Sequence, residues 1–365
     1  MTKRFAAVLA PVVIMPVVIM PVVIMPVVIM PVVIMVVALP VLSAPALAQN
    51  LNEVFRRANP SVVVIRAKGR DVSSVGVTRF SETGSGVMVS ADGKVMTAAH
   101  VVNVMDEITV EALGGERVSA KIIASEPAAD LSLLQLERVP PSMRAAGMAD
   151  SSTVRVGDQV IVIGAPYGLA HSMSAGWISA RWPPNTVYKS MPLAEFFQTT
   201  ATINTGNSGG PMFNMAAEVI GIVSHNISKS GGSEGLGFVV TINTAKKLLL
   251  ERKSFWSGID GTMLTGDLAA IFNVPEPSGF LVKTVAQGST AWDMGLLGGD
   301  KIATIGGQQI VVGGDIILSV DGIPVGSDDN IEKIRNRLAA EPRGTPFKMK
   351  VLRAGKLIEL SGRTQ

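Results

Sequence analysis

From Ser61 to about Val240 the apolar residues come in short runs, Val62–Ile65, Gly86–Val89, Val160–Ile163 and Val219–Val223 among them, separated by glycine-rich or polar turns. Runs this short, rich in Val and Ile and bounded by Gly, Asp and Ser, predict strands of a β-barrel or sandwich. The period changes over Thr244–Arg252, where Ala245, Leu248 and Leu249 share one helical face and Thr244 can serve as a cap. The following Ser254-Phe255-Trp256-Ser257-Gly258 reads as a boundary. Beyond it, Ser278–Val282 and Asp315–Val320 predict strands, the second closed by an Asp321-Gly322 turn. Ile331, Ile334 and Leu338 predict a helix from Asn330 to Leu338, with Asp328 or Asp329 near its start, and Lys348–Leu352 with Lys356–Leu360 predict a last hairpin. A mainly β unit is thus followed by a small α+β unit, and 365 residues allow each its own core.

The first 48 residues follow a different pattern. Lys3 and Arg4 are the only charges before Glu53, and Pro-Val-Val-Ile-Met repeats five times in tandem from Pro11 to Met35. The stretch ends in Ala44-Pro45-Ala46-Leu47-Ala48, which supplies small residues at the positions a signal peptidase needs. A secretory signal cleaved after Ala48 is expected. An uncleaved membrane anchor is the alternative, although proline at every fifth position disfavours a regular helix. Either way the folded part is expected outside the cytoplasm. The expected domains are therefore residues 1–48, 49–253 and 254–365.

Composition removes several classes of function. Lys plus Arg number 32 against 29 for Asp plus Glu, with no concentrated basic face of the kind nucleic-acid binding requires. Cysteine is absent and the three histidines, His100, His171 and His225, are far apart, so no metal site, thiol nucleophile or cofactor is expected.

The candidate chemistry centres on Gly206-Asn207-Ser208-Gly209-Gly210-Pro211, which sets one serine among residues too small to cover it. Such a turn exposes a nucleophile and lets backbone N–H groups point at a developing oxyanion. The same composition also suits an ordinary turn. A serine needs a neighbouring base, and His100 follows the apolar Val95-Met96-Thr97-Ala98-Ala99. Asp130, at the head of the apolar Leu131–Leu136, is the candidate carboxylate that would orient the imidazole. Singly, His100 reads as a satisfied partly buried histidine and Asp130 as a turn cap. Together, in the order His, Asp, Ser, they match the chymotrypsin-like arrangement.

The segments Thr97-Ala98-Ala99-His100, Asp130-Leu131-Ser132-Leu133-Leu134 and Gly206–Pro211 resemble the signatures of that clan. With Gly84-Ser85-Gly86-Val87, Gln198-Thr199 and Gly235-Leu236-Gly237-Phe238, residues 51–362 resemble a bacterial HtrA/Deg-family protease carrying one C-terminal PDZ domain. The resemblance implies two six-stranded barrels with a His100–Asp130–Ser208 triad between them. It also implies an oxyanion hole at Gly206, Asn207 and Ser208, its donors the N–H groups of Gly206 and Ser208. Gly221-Ile222-Val223-Ser224 resembles the substrate-pairing strand, so Ser224 and His225 are expected at the substrate, together with Thr202 and Ile203. Thr200 stands where many relatives have Asp, and His225 where trypsin-like enzymes have Trp. Thr202, six residues before Ser208, carries no acid, so a small or medium apolar residue is expected at the cleaved bond.

Phe255–Ile259 resembles a PDZ carboxylate-binding loop, with Trp256, Ser257, Gly258 and Ile259 as the expected contacts for a peptide's C-terminus. An interdomain linker with an aromatic plug is the alternative. Lys301–Val312 separates two Gly-Gly-Asp segments and reads as an inserted loop or hairpin. The resemblance further implies an ATP-independent periplasmic serine endopeptidase acting on misfolded envelope proteins. It also implies a homotrimer or larger oligomer, with Phe55 as a candidate contributor and simple core packing as the alternative role of that residue. A chaperone or peptide-binding scaffold and a membrane-tethered sensor protease remain as alternatives.

Overall fold

The computed structural model describes residues 51–73, 76–252 and 255–364. The expected leader at 1–48 and the expected junction at 253–254 lie outside the described residues.

A short helix α1 (Leu51–Ala58) leads into β1 (Val62–Ser73), β2 (Gly76–Met88) and β3 (Lys94–Thr97). One helical turn, α2 (Ala99–Val102), follows, and then β4 (Glu107–Glu111), β5 (Arg117–Glu126) and β6 (Leu131–Leu136). These strands close a barrel in the order β1-β2-β3-β6-β5-β4. A second barrel, ordered β10-β11-β12-β9-β8-β7, contains β7 (Gln159–Gly164), β8 (Ser172–Trp182), β9 (Phe196–Thr199), β10 (Pro211–Phe213), β11 (Val219–Asn226) and β12 (Gly237–Thr241). The fold is the chymotrypsin-like double barrel that the resemblance implied.

Side-chain alternation explains the closure. Along β5, Val118, Ala120, Ile122 and Ala124 are buried while Arg117, Ser119, Lys121 and Ile123 face outward, the period-two pattern of a strand with one covered face. Strand β1 runs well past the apolar Val62–Ile65. Its outer half presents Arg66, Lys68 and Arg70, which pair with Glu111, Glu107 and Asp106. The apolar run therefore marks only the covered half of the strand. A cluster joining Val62, Met96 and Leu131 of the first barrel to Ile161, Phe213 and Phe238 of the second holds the barrels together. Phe55 packs partly buried against that cluster. The helix expected from Thr244 starts earlier, as α3 (Ile242–Ala245), and continues as a π-helical stretch over Lys246–Glu251. Thr244 does not cap it, and its hydroxyl pairs with that of Thr241 at 2.8 Å.

The C-terminal unit is a small α+β domain, as the PDZ resemblance implied. It contains β13 (Ile259–Thr265), α4 (Gly266–Ile271), β14 (Ser278–Val285), α5 (Thr290–Asp293), β15 (Lys301–Ile305), β16 (Gln308–Val312), β17 (Ile316–Val320), β18 (Ile323–Pro324), α6 (Asp328–Ala340), β19 (Pro346–Arg353) and β20 (Lys356–Arg363). The main sheet runs β13-β14-β17-β19-β20, which leaves β13 at an edge, and β18 pairs with β17. The inserted segment is the separate hairpin β15–β16, turning at Gly306 and Gly307, both at positive φ. Ser327 caps α6 by accepting from the Asn330 N–H, three residues before the expected start.

This unit leans on the first barrel. Arg70 pairs with Asp106, donates to the Val285 carbonyl at 3.2 Å and lies 5.2 Å from the Trp292 ring centre. The Asp106 carboxylate also accepts from the Gln287 N–H at 2.9 Å. Arg335 of α6 binds Glu126 and the Ser125 carbonyl at the end of β5.

Candidate active site

The β3–α2 corner carries His100, and Asp130 stands at the entry to β6, next to β3 in the barrel. Asp130 has φ 54°, a left-handed conformation that aspartate tolerates better than most residues. There it performs two tasks at once. Its carbonyl accepts from the Ala99 N–H at 3.1 Å, and its Oδ1 accepts from the His100 N–H at 3.0 Å, which fixes the first turn of α2. The carboxylate also meets His100 Nδ1 at 2.9 Å from Oδ1 and 3.0 Å from Oδ2. Nδ1 therefore carries a proton and Nε2 is left as the acceptor facing the cleft.

Burial raises the cost of charge on Asp130, but the hydrogen bonds from His100 and then Ser224 outweigh it and hold the carboxyl below its ordinary range. Burial likewise disfavours protonated His100, yet the Asp130 carboxylate overcomes it and lifts the imidazole above 6.5. The pair is a carboxylate tuned to stabilise an imidazolium.

Ser208 comes from the other barrel, in the turn that enters β10. Its Oγ donates to the Ser224 carbonyl at 3.2 Å, and among the described residues no hydrogen bond joins it to His100. A turn of that side chain away from Ser224 would free Oγ to approach Nε2. The carbonyls from Thr205 to Ser208 are tied back. Thr205 accepts from the Tyr167 N–H (2.8 Å), Gly206 from Ser85 Oγ (2.7 Å), Asn207 from the Gly210 N–H (2.9 Å) and Ser208 from the Ser85 N–H (2.8 Å). Because a trans peptide sets N–H opposite C=O, the pinned Thr205 carbonyl turns the Gly206 N–H to the other side. The Gly206 and Ser208 N–H groups have no acceptor among the described residues, and the arrangement can receive an oxyanion.

Ser85, part of the Gly84–Val87 segment but not among the expected site residues, anchors this loop. It is fully buried, yet its side chain accepts from the Ala165 N–H at 2.9 Å while donating to Gly206, and its carbonyl accepts from Thr97 Oγ1 at 2.8 Å. One first-barrel residue thus shapes the second-barrel loop. The Ser85→Ala variant leaves a buried carbonyl and a buried N–H without partners, costing about 1–3 kcal/mol. A lower Tm and a kcat reduced about tenfold are expected; an unchanged kcat at full occupancy would detach Ser85 from the loop.

Several expected substrate contacts lie elsewhere. Ile203 is 1% exposed and belongs to the interior of the second barrel, because an apolar side chain is more stable there than on a polar wall. The Asn207 N–H returns to the Asn204 carbonyl at 3.0 Å, so it is no oxyanion donor. Ser224 donates its hydroxyl to Asp130 Oδ2. His225 turns into a box formed by Tyr188, Phe196 and Phe238, not into the cleft. Thr202 is exposed, with its carbonyl accepting from Ser174 Oγ at 2.9 Å.

In the C-terminal unit, Gly258 sits at φ 72°, where an added Cβ would lie 2.2 Å from Ser289 Cβ. The Trp256 indole donates to the Asn103 carbonyl at 3.0 Å, and the Asn103 side chain donates to the Ile259 carbonyl at 3.4 Å. The Ser257 carbonyl accepts from the Ala291 N–H at 3.3 Å. A mostly apolar groove of about 610 Å³ runs between β13 and α6, lined by Ile259, Gly261, Ile331, Ile334 and Leu338. Pro127 and Ala128 of the first barrel wall its other side.

Among known families, the trypsin-like peptidase domain matches residues 84–222. A probable periplasmic serine endoprotease DegP-like of Pseudomonas putida (strain GB-1) is 37% identical over 261 residues, 69% of this chain and 53% of that protein. The periplasmic pH-dependent serine endoprotease DegQ of Escherichia coli (strain K12) is 33% identical over 299 residues, 80% of this chain and 61% of that protein. The chain thus spans 53–61% of the length of these curated relatives. A solved structure of the HtrA-type protease AlgWS227A with decapeptide superposes with a TM-score of 0.52 at 27% identity, covering 86% of this chain and 96% of that one.

Proposed function

The chain belongs to the HtrA/Deg family of serine proteases, and from that premise we propose that it is a periplasmic, ATP-independent serine endopeptidase acting on misfolded envelope proteins. The observation that carries the reading is the Asp130 carboxylate, which receives both N–H groups of His100 at the cleft where Ser208 stands among tied-back carbonyls.

Ser208 Oγ turns from Ser224 toward His100 Nε2, loses its proton to it and attacks the scissile carbonyl carbon. Charge collects on the carbonyl oxygen in front of the Gly206 and Ser208 N–H groups, while Asp130 stabilises the imidazolium. The intermediate collapses as His100 passes the proton to the leaving amine. Water, deprotonated by the same imidazole, then attacks the acyl carbon, and His100 returns the proton to Ser208 Oγ as the ester bond breaks and the acid leaves. The absence of an acid at Thr202 fits cleavage after small or medium apolar residues.

The C-terminal unit is assigned to peptide ends. A C-terminal peptide adds a strand along the outer edge of β13 beyond Ile259, its carboxylate at Trp256–Ile259 and its last side chains in the groove under α6. The same loop and helix touch Asn103 and Ser125–Glu126, each close in sequence to a candidate triad residue, which favours a protease controlled by what occupies the groove. Assembly into a homotrimer or larger oligomer belongs to the same reading, with Phe55 near the chain start of the folded part.

A fluorophosphonate tests the chemistry directly. Labelling on the Ser208 peptide with parallel loss of casein cleavage is expected, and an unlabelled but cleaving protein would refute the assignment. Since His100 must be neutral to act as a base and its pKa is raised, kcat/KM should climb with pH through a midpoint above 6.5. A pH–rate profile that is flat from pH 5 to 9 would remove His100 from that role.

A further inference from the structure

We infer that His225 is a positioning residue that extends the Asp130–His100 pair by one more hydrogen bond, through Ser224. The pairing of β11 with β12 slips between Val223 and His225, so Ser224 is an extra residue in the strand. A bulge of this kind breaks the alternation that would send neighbouring side chains to opposite faces. Here it brings Ser224 Oγ onto Asp130 Oδ2 and His225 Nδ1 within 2.8 Å of that same Oγ.

The single proton of the Ser224 hydroxyl goes to the carboxylate, which only accepts. Ser224 can therefore receive only a donor from His225, and Nδ1 carries the proton. The other nitrogen, Nε2, is buried with no hydrogen-bond partner among the described residues. The rings of Tyr188 (centroid 4.0 Å), Phe196 (5.7 Å) and Phe238 (5.7 Å, stacked at 16°) surround the imidazole. The ionisable groups that face His225 are Asp130, His100 and Tyr188. Burial pushes the His225 pKa down to about 4, with the Asp130 charge opposing and the His100 charge assisting, and burial pushes the Tyr188 hydroxyl up to about 12. Burial thus favours His225 as a neutral imidazole, with its tautomer set by the hydrogen bond to Ser224.

Its effect is geometric. A serine hydroxyl turns freely unless its lone pairs are engaged. With His225 donating to it, the Ser224 proton has one direction left, toward Asp130, and the carboxylate is held by Ser224 on one oxygen and by the His100 backbone on the other. Without the donor the carboxylate loosens, and with it the imidazole that must meet Ser208.

The inference rests on the proteolytic reading of Ser208, His100 and Asp130, and the test separates the two. Full-length wild type, His225→Phe, His225→Asn and His225→Gln are titrated with a fluorophosphonate, and kcat and KM are measured per labelled site on a peptide. His225→Phe keeps a ring without the donor and should lower kcat about tenfold or more at unchanged KM, since small misplacements remote from the chemistry have effects of that size. The acid limb of its pH profile should shift to lower pH, because a looser Asp130 supports the His100 cation less well. His225→Asn, whose amide reaches the Nδ1 position, should restore both, and His225→Gln should not. If His225→Phe does not fold, the contrast between Asn and Gln carries the test. An Asn variant no better than Phe or Gln, or a Phe variant with unchanged kcat and acid limb, overturns the inference. A wild type that takes no label overturns the proteolytic reading instead.

Discussion

The Ser208→Ala variant is expected to fold like the wild type and to cleave peptides ~10⁶-fold more slowly. The Ser208 hydroxyl makes one hydrogen bond, to the Ser224 carbonyl at 3.2 Å beside the open cleft, so its removal strands no deeply buried group. A stability change within about 0.5 kcal/mol follows. The chemical loss is large because no other described hydroxyl takes the place of Ser208 beside the free N–H groups. Ser224 is 1% exposed and bound to Asp130, and Ser85 lies behind the loop. Casein cleavage and Tm measured on one preparation decide the point. A variant with the same Tm and more than about a hundredth of the activity would show that Ser208 is not the nucleophile. The same variant, loaded with an unfolded substrate, separates hydrolysis from any holding of unfolded chains.

The second large effect is expected at Gly206. Its φ of 99° is open to glycine and strained for any residue with a side chain. A Cβ there would sit 2.2 Å from the Ala165 carbonyl oxygen, which is backbone and cannot swing away. The Gly206→Ala variant must therefore move the loop, and the Gly206 N–H loses its aim. Loss of one oxyanion donor lowers kcat ~10²–10³-fold. A peptide boronate, whose adduct carries the tetrahedral charge, should lose affinity in step with kcat, while a ground-state product peptide binds as before. If boronate and product weaken equally, Gly206 serves general binding and not the transition state.

The strands and the order of the site residues were legible because each depends on local sequence. Short Val- and Ile-rich runs between turns fix strands, and glycines around one serine mark an exposed hydroxyl. Where the determining partner is distant, the sequence was silent. The polar half of β1 is held by Glu107 and Glu111 on β4, so no local pattern announced it. Ser85 acts on Gly206 from 121 residues away, and nothing in Gly84-Ser85-Gly86 tells a cross-barrel contact from a turn. His225 was expected at the substrate because it follows the pairing strand, but the bulge at Ser224 reverses its direction. Ile203 was expected at the substrate beside Thr202, and burial of its side chain decided otherwise.

The contacts that make the site are long in sequence. Asp130 meets Ser224 across 94 residues, and Ser85 meets Gly206 across 121. Contacts of such separation form late, because the chain must first close large loops. While the second barrel is unfinished, His100 and Asp130 can already be paired in the first with no nucleophile opposite them. The proposed chemistry is therefore divided between two halves of the chain, and the three residues come together only where the barrels dock. Under the proteolytic function proposed above, a chain with only its first barrel folded would hold His100 and Asp130 with no nucleophile opposite them.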